Sequence, residues 1–557
     1  MSTPIIWLSL HEGIDSRGPW DTGLLEHLFA ERLWRVDRDF THHVITDDDE
    51  AVHDLTGPQA VVVLPARHHA EDTDRLNGLL TAFDSVLLIL VGDEEAIFPW
   101  RLIVHDRMKM WVMLPRPVEH GDLAHWAFFF GDGWSERAPG MIAGDGSVPE
   151  KVTQWAFLGQ HTNSRRKQAA NGLRRLSNRV PGVMELTEGF GQGRSPEDYY
   201  AAMRSTKVAP CPGGPCTPDT FRLYEALEAG CAPIVDAISS QGWKGYWDFV
   251  YPYDRVPFPV VEDWDTVGGI VEAELADWPR GANLASSWWM RRKREMAYRL
   301  NDDLTDLGVP ATSGEKVTAL ITTSPSYIHP STDHLEETLE SVRETFGEHI
   351  DVIIACDGVR PEQRKIERDY GEYVRRLCWK SHHEWDNTIV YVAPEWLHQA
   401  NLTSRALNLV STDLVLFLEH DTPLVVGEPI DVPTALAAMS TNALDVLRFH
   451  HEASILAVHD HLMLDHEPTS LFGLPVQRTI QWSQRPHLAT TAYYRRILRE
   501  NFGPESRTMI EDVLHGVCQS QSSARNRLAI YTPPGTSIKR SYHLDGRGSE
   551  TKFQMRF

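Results

Sequence analysis

Cysteine is scarce: six in 557 residues, at Cys211, Cys216, Cys231, Cys356, Cys378 and Cys518, with no CxxC pair and no histidine at metal-finger spacing. That excludes a disulfide-stapled scaffold and a zinc-finger framework, and it fits a reducing, cytoplasmic compartment. Long apolar runs are missing too: no stretch of about 18 apolar residues occurs, so no spanning helix is expected. The start, MSTPIIWLSLHEG, has no basic region and only a short apolar run, and reads as a first strand, not as a secretory signal. Positive charge is the third deficit, with 54 Lys and Arg against 78 Asp and Glu and a formal net charge of −24. So acidic a surface repels phosphate backbones on average, and nucleic acid would need a local basic patch. What is there is ordinary globular composition, 42% hydrophobic and 24% charged, in a chain too long for one core. Two to four domains are expected.

Residues 1–150 hold strand-like runs at Ile5 to Leu10, Ala60 to Leu64, Val86 to Val91 and Trp111 to Leu114, with amphipathic helical spacing from Leu24 to Leu33. This alternation predicts a parallel, Rossmann-like sheet. His11 and Glu12 follow the first strand in a polar loop. They are either acceptor-side groups, one of them a base, or solvated loop residues.

Residues 151–308 begin with the strand Trp155 to Gly159 and the basic run Arg165, Arg166 and Lys167. A Gly-ended strand opening on cations suits a diphosphate, because backbone N–H groups and guanidinium forks both reach its oxygens; the plain alternative is a solvated helix face. Next come a helix (Tyr199 to Ser205), a strand (Val208 to Cys211), the tight loop Pro212-Gly213-Gly214-Pro215 and a helix from Phe221 to Ala229. Asp219 and Thr220 can cap that helix, Gly230 ends it, and Ala232 to Val235 is a buried strand. This run resembles the nucleotide-binding half of a GT-B glycosyltransferase, most of all the exostosin type, in which a helix rich in Arg and Glu precedes Ala-Gly-Cys-small-Pro-Ile. The resemblance implies that Arg222 faces the diphosphate and Glu225 the ribose hydroxyls of a nucleotide, with Arg165 and Thr220 also on the donor side. As residues alone, Arg222 and Glu225 are equally an i, i+3 ion pair. Asn283 to Leu307 reads as a long helix that would cross back to the first segment. Its Arg291 to Arg294 cluster is a solvated face or a landing place for an anion. Residues 309–315 read as a linker.

Residues 316–557 carry four ordered signals. Val317 to Ile321 is an apolar strand that breaks into Thr322-Thr323-Ser324-Pro325, followed by an amphipathic helix around Leu335, Leu339 and Val342. DVIIACDG ends a second strand in Asp357-Gly358. A helix marked by Leu402, Ala406, Leu409 and Val410 feeds the apolar run Leu414 to Leu418, which stops at Glu419-His420-Asp421, and Glu511-Asp512 opens a late helix. Two acids one residue apart at a strand's carboxyl end can share a hard divalent cation with a nucleotide's phosphates, or be an acidic junction ended by Pro423.

The order of these signals resembles the nucleotide-sugar domain of GT-A glycosyltransferases, especially the large family-2 type. The resemblance implies that Thr322, Thr323, Asp357, Glu419 and Arg405 surround the donor, and that Asp421, Glu419 and a late His543 hold Mn²⁺ or Mg²⁺. It also implies that Asp512, or Glu511 in its stead, is the general base of an inverting displacement. The triplet departs from Asp-x-Asp by starting with Glu, which leaves the metal contact of Glu419 open. Trp482 to Arg496 falls on the acceptor side, with Trp482 and His487 as groups that either meet the acceptor or belong to the core.

The expected chain is therefore α/β: a GT-B-like pair of Rossmann-type domains followed by a GT-A domain. It would act in the cytoplasm as a metal-dependent glycosyltransferase with a nucleotide-sugar donor, UDP-linked by preference, either bifunctional or with one module catalytically silent and binding acceptor or scaffolding. The acceptor would be a glycan, a protein or modified DNA, without membrane insertion. Two alternatives stand beside it: transfer to hydroxymethylated pyrimidines of phage-type DNA, and a non-catalytic glycan-binding or scaffold protein.

Overall fold

The computed structural model describes residues 3–8, 23–30, 36–38, 40–45, 55–66, 73–133, 148–189, 192–314, 317–441, 443–521, 523–535 and 537–544. The chain divides into two units, Met1–Gly314 with His382–Glu384, and Glu315–Ser381 with Trp385–Phe557. Among the described residues no helix is long and apolar enough to cross a membrane.

In the first unit the described strands are β1 (Thr3–Leu8), β2 (Val36–Arg38), β3 (Phe40–Ile45), β4 (Gly57–Pro65), β5 (Phe83–Val91), β6 (Met108–Met113), β7 (Ala127–Phe130), β8 (Thr153–Gln160), β9 (Val183–Thr187), β10 (Thr206–Cys211), β11 (Ala232–Asp236), β12 (Val260–Val261) and β13 (Ala311–Gly314). They build a six-stranded sheet in the order β3-β1-β4-β5-β6-β7 and a five-stranded sheet in the order β12-β11-β10-β8-β9. Every pairing in both sheets is parallel. Parallel sheets are covered on both faces, which is why β5 reads as the near-continuous apolar run SVLLILV and is buried along it. The Arg280–Asp306 helix buries Trp288, Trp289, Met296 and Leu300. It packs beside β11 near its start, and Asp303 near its end accepts from Trp111 Nε1 of β6 at 2.9 Å, so it joins the two sheets of this unit. The stretch read as a linker contains β13, which pairs antiparallel with β2.

The second unit is one nine-stranded sheet among the described residues: β14 (Val317–Thr323), β15 (Asp351–Cys356), β16 (Thr388–Val392), β17 (Leu414–Glu419), β18 (Val446–Arg448), β19 (Thr469–Leu471), β20 (Leu474–Thr479), β21 (His487–Thr490) and β22 (Leu528–Tyr531). The order is β16-β15-β14-β17-β21-β18-β22-β20-β19. β14 to β17 are mutually parallel and fully apolar at their centres, as the sequence predicts. β21 then runs antiparallel to both β17 and β18. Two strands antiparallel to the same neighbour point the same way, so β17 and β18 end at one edge of the sheet. Phe417 and Arg448 both stand opposite His487, which fixes their relative height.

Candidate active site

That shared edge carries the chemistry. Glu419 closes β17 and is half-buried, while Asp421, two residues on, is buried. Gln399 Nε2 donates to Glu419 Oε1 at 2.5 Å, and Gln399 Oε1 accepts from the backbone N–H of Ile510 at 3.1 Å. Ile510 opens the helix Ile510–Ser520, whose first turn holds Glu511 and Asp512. One buried amide thus ties the strand acid to the start of the acidic helix. Glu511 Oε2 accepts from Gln484 N at 3.3 Å.

His543 arrives on a tail stitched between the two strand ends. Arg540 N and Ser541 N donate to His450 O at 2.7 and 3.1 Å, and Leu544 N donates to Asp421 O at 3.0 Å. His543 Nδ1 consequently lies 3.7 Å from Asp421 Oδ2, with its ring edge-on to His451 at 5.0 Å. A cleft of about 330 Å³ opens here, lined among others by Glu419, Glu511, His543, Arg448, Arg485 and His451. No group of three or more His, Cys, Asp or Glu among the described residues is arranged to hold a metal ion. The Asp421–His543 pair offers one oxygen and one nitrogen donor. That suits a cation completed by substrate phosphates and water and does not suit an all-protein cage.

The other residues singled out from the sequence have these surroundings. Asp357 is buried, and burial raises its pKa against the opposing effect of three backbone amides. Its Oδ1 accepts from Gly358 N and Leu397 N at 2.8 and 2.7 Å, and its Oδ2 from His398 N at 3.0 Å. His398 sits at φ 62°, a left-handed conformation that a side chain disfavours and that these bonds hold. Asp357 therefore pins the loop that presents Gln399. Thr322 donates to Leu418 O within the sheet, and Thr323 shares a bond with the OH of Tyr373, on the Glu367–His383 helix, at 3.1 Å. Arg405 is exposed, 3.7 Å from Glu395. Asp512 is exposed beside Glu511 and does not line the cleft. Trp482 and His487 are core residues: Trp482 is 1% exposed, and His487 is fully buried and stacked on Phe417 at 5.3 Å. Burial pushes the His487 pKa down to about 4.

In the first unit, the penultimate residue of β8 is Gly159, where an added Cβ would fall 2.0 Å from Arg222 Nη2. Arg222 is buried, donates through Nε to Leu158 O at 3.1 Å and lies over the Phe157 ring at 5.3 Å. Its Nη1 is buried without a partner. Glu225 bonds Tyr199 OH at 2.6 Å and Tyr200 OH at 3.5 Å in place of an ion pair with Arg222. Arg165 is committed to Asp236 at 2.5 Å. Thr220 stands at the N-cap of the Phe221–Glu228 helix without a side-chain cap bond, and Asp219 Oδ1 instead accepts the Thr220 N–H at 2.8 Å. The Arg291–Arg294 cluster is spent internally: Arg291 on Asp254 at 2.6 Å, Arg292 on Glu295, Lys293 on Glu228 at 2.8 Å and Arg294 on Tyr298 OH at 2.8 Å. His11 and Glu12 lie outside the described residues.

No protein-family model and no curated protein matches the chain. Among solved structures it is similar to TarS of S. aureus, at 16% identity and a TM-score of 0.27 over 41% of this chain and 36% of that one. A TarS fragment, residues 1–349, solved with UDP-GlcNAc, gives 15% identity and a TM-score of 0.25 over 41% and 58%. The mannosyltransferase PcManGT of Pyrobaculum calidifontis, in complex with GDP-Man and Mn²⁺, gives 14% and 0.29 over 48% and 69%. The chain thus spans less than two thirds of the TarS chains. Likenesses this faint carry no argument about the site, which stands on its geometry.

Sequence reasoning missed Gln399, Arg448, Arg485 and His451. Gln399 lies in a helix start that no capping residue announces, since the chain turns at His398 through a left-handed conformation. Arg-Phe-His-His at 448–451 was legible as an unusually polar strand end following the apolar Val446-Leu447.

Proposed function

We propose that the chain is a glycosyltransferase in which residues 316–557 form the GT-A-like module that moves a sugar from a nucleotide-sugar donor to an acceptor hydroxyl. The observation that carries this reading is the cleft at the β17–β18 edge lined by Glu419, Glu511 and His543, with Asp421 3.7 Å behind His543. Asp421 and His543 would hold Mn²⁺ or Mg²⁺, and such an ion supplies charge neutralisation for a leaving nucleoside diphosphate. Gln399 fixes the Glu419 carboxylate. The proton of the acceptor hydroxyl goes to the Glu511–Asp512 pair as that oxygen attacks the anomeric carbon and the sugar–phosphate bond breaks, inverting the centre. The sequence resemblance favours Asp512 as the acceptor of that proton, and the cleft lining favours Glu511.

Residues 1–150 and 151–308 are proposed as the two halves of a GT-B-like module, joined through 309–315 to the first. The buried, partly unpartnered guanidinium of Arg222 beneath Gly159 supports an anion there. The experiment is turnover by the full chain: a panel of nucleotide sugars with Mn²⁺, diphosphate release as readout, and Glu511→Gln and Asp512→Asn compared. The true base loses at least roughly a hundredfold. A non-catalytic protein would show no diphosphate release with any donor.

A further inference from the structure

Two arginines in the cleft lack an ion-paired carboxylate among the described residues. Arg448 is 4% exposed, gives Nη2 to Gln481 Oε1 at 3.2 Å and keeps its Nε buried without a partner. Arg485 is half-buried and gives Nη1 to His450 Nδ1 at 3.0 Å. Neither has a carboxylate at ion-pair distance among the described residues; Glu511 reaches both electrostatically and Glu452 reaches Arg485. Arginine is almost never buried this far unless paired. The other deeply buried arginines described in this unit obey that rule: Arg375 has Glu372 at 2.7 Å and Arg540 has Glu428 at 3.6 Å.

The histidine bonded to Arg485 does not share the charge. His450 accepts the Arg485 N–H on Nδ1, as the neutral ring does, and burial beside the guanidiniums holds its pKa down to about 2. The positive charge of the cleft is that of Arg448 and Arg485, in a chain whose net charge is −24. Its position matters. Along the sheet edge the order is β16, β15, β14, then β17 with Glu419 and Asp421, then β21, then β18 with Arg448. Arg448 lies across β21 from the strands proposed to receive the donor, and Arg485 stands just ahead of β21.

We infer that Arg448 and Arg485 receive a phosphate-type oxyanion carried by the acceptor, so that the acceptor is a phosphorylated hydroxyl compound and not a neutral sugar. This rests on the transferase reading above. A guanidinium fork meets two phosphate oxygens at once, and in doing so the ligand would supply the ion-paired partner that the described residues do not. With the anion there, a neighbouring hydroxyl of the same molecule faces Glu511.

The test uses the full chain, wild type and Arg448→Gln/Arg485→Gln, at fixed ionic strength. Calorimetric titrations are run with inorganic phosphate, glycerol phosphate, glycerol, and UDP with Mn²⁺, alongside melting temperatures. The double variant is expected to keep or raise its melting temperature, to lose at least tenfold in affinity for phosphate and glycerol phosphate, and to bind UDP within twofold of wild type. Glycerol should bind neither form. If UDP affinity fell in step with that for phosphate, the guanidiniums would belong to the donor's diphosphate and the proposal would be overturned. It would equally be overturned if phosphate and glycerol phosphate bound both forms alike or bound neither. A wild-type protein that binds phosphate through these arginines but does not bind UDP would sink the transferase reading alone.

Discussion

Gln399 is the smallest change with the widest expected effect. Replacing it with Leu keeps the volume and removes two bonds at once, the 2.5 Å donation to Glu419 Oε1 and the acceptance from Ile510 N at 3.1 Å. A hydrogen bond to an ionised carboxylate contributes about 1.5–3 kcal/mol and a neutral one about 1 kcal/mol, so the tie between strand and helix is worth about 2–4 kcal/mol. Each ~1.4 kcal/mol carried into the transition state is tenfold in rate, so turnover of the nucleotide sugar should fall about tenfold to several hundredfold. The measurement is kcat/KM for diphosphate release, with melting temperature as a control for folding. Glu419→Gln and the double variant complete a cycle, in which the two positions should couple by at least about 1 kcal/mol because they share one bond. Additive effects, or a Gln399→Leu protein turning over within twofold of wild type, would refute the claim that this amide positions Glu419.

Three further outcomes can be checked. Asp421→Asn and His543→Ala should each weaken Mn²⁺-dependent binding of UDP, followed by titration with and without the ion, while leaving the melting temperature of the metal-free protein within a few degrees. Gly358→Ala would set a Cβ 2.3 Å from the backbone of Glu395 and Trp396; overpacking of this kind costs about 1–3 kcal/mol and should lower both the melting temperature and turnover by displacing the loop that leads to Gln399. His487, lowered from 6.5 to about 4 by burial, adds stability that is present above pH 6.5 and is lost as pH falls towards about 4, up to about 3 kcal/mol; denaturant melts across that window should show the loss, and His487→Gln should flatten it.

Much of the second unit was legible because its parallel strands are apolar runs, two of which lead into acids. Val317 to Ile321, the strand before Asp357 and Leu414 to Leu418 all form where the pattern puts them. What a sequence does not carry is which way a side chain is already spent. Asp357 and Glu225 stand at expected places, yet backbone amides occupy the first and tyrosines the second. The Arg291–Arg294 run reads as free charge and is consumed by partners up to 65 positions away. His487 looks like part of an aromatic acceptor face because a four-residue strand is too short to show which of its sides is inward, and Trp482 precedes it outside any strand. Gln399 and Arg448 gain their meaning only from long-range pairing, Gln399 meeting residues 20 and 111 positions away.

β21 spans only His487 to Thr490, yet it is the seam strand that pairs with both the strand that ends in acids and the strand that ends in arginine. A slip of one residue along that seam would turn His487 outward and shift anion-seeking and proton-seeking groups past each other by about 3.4 Å. Variation within those four residues should therefore alter donor handling and partner choice together, a coupling that substitutions at either end of the cleft would not produce.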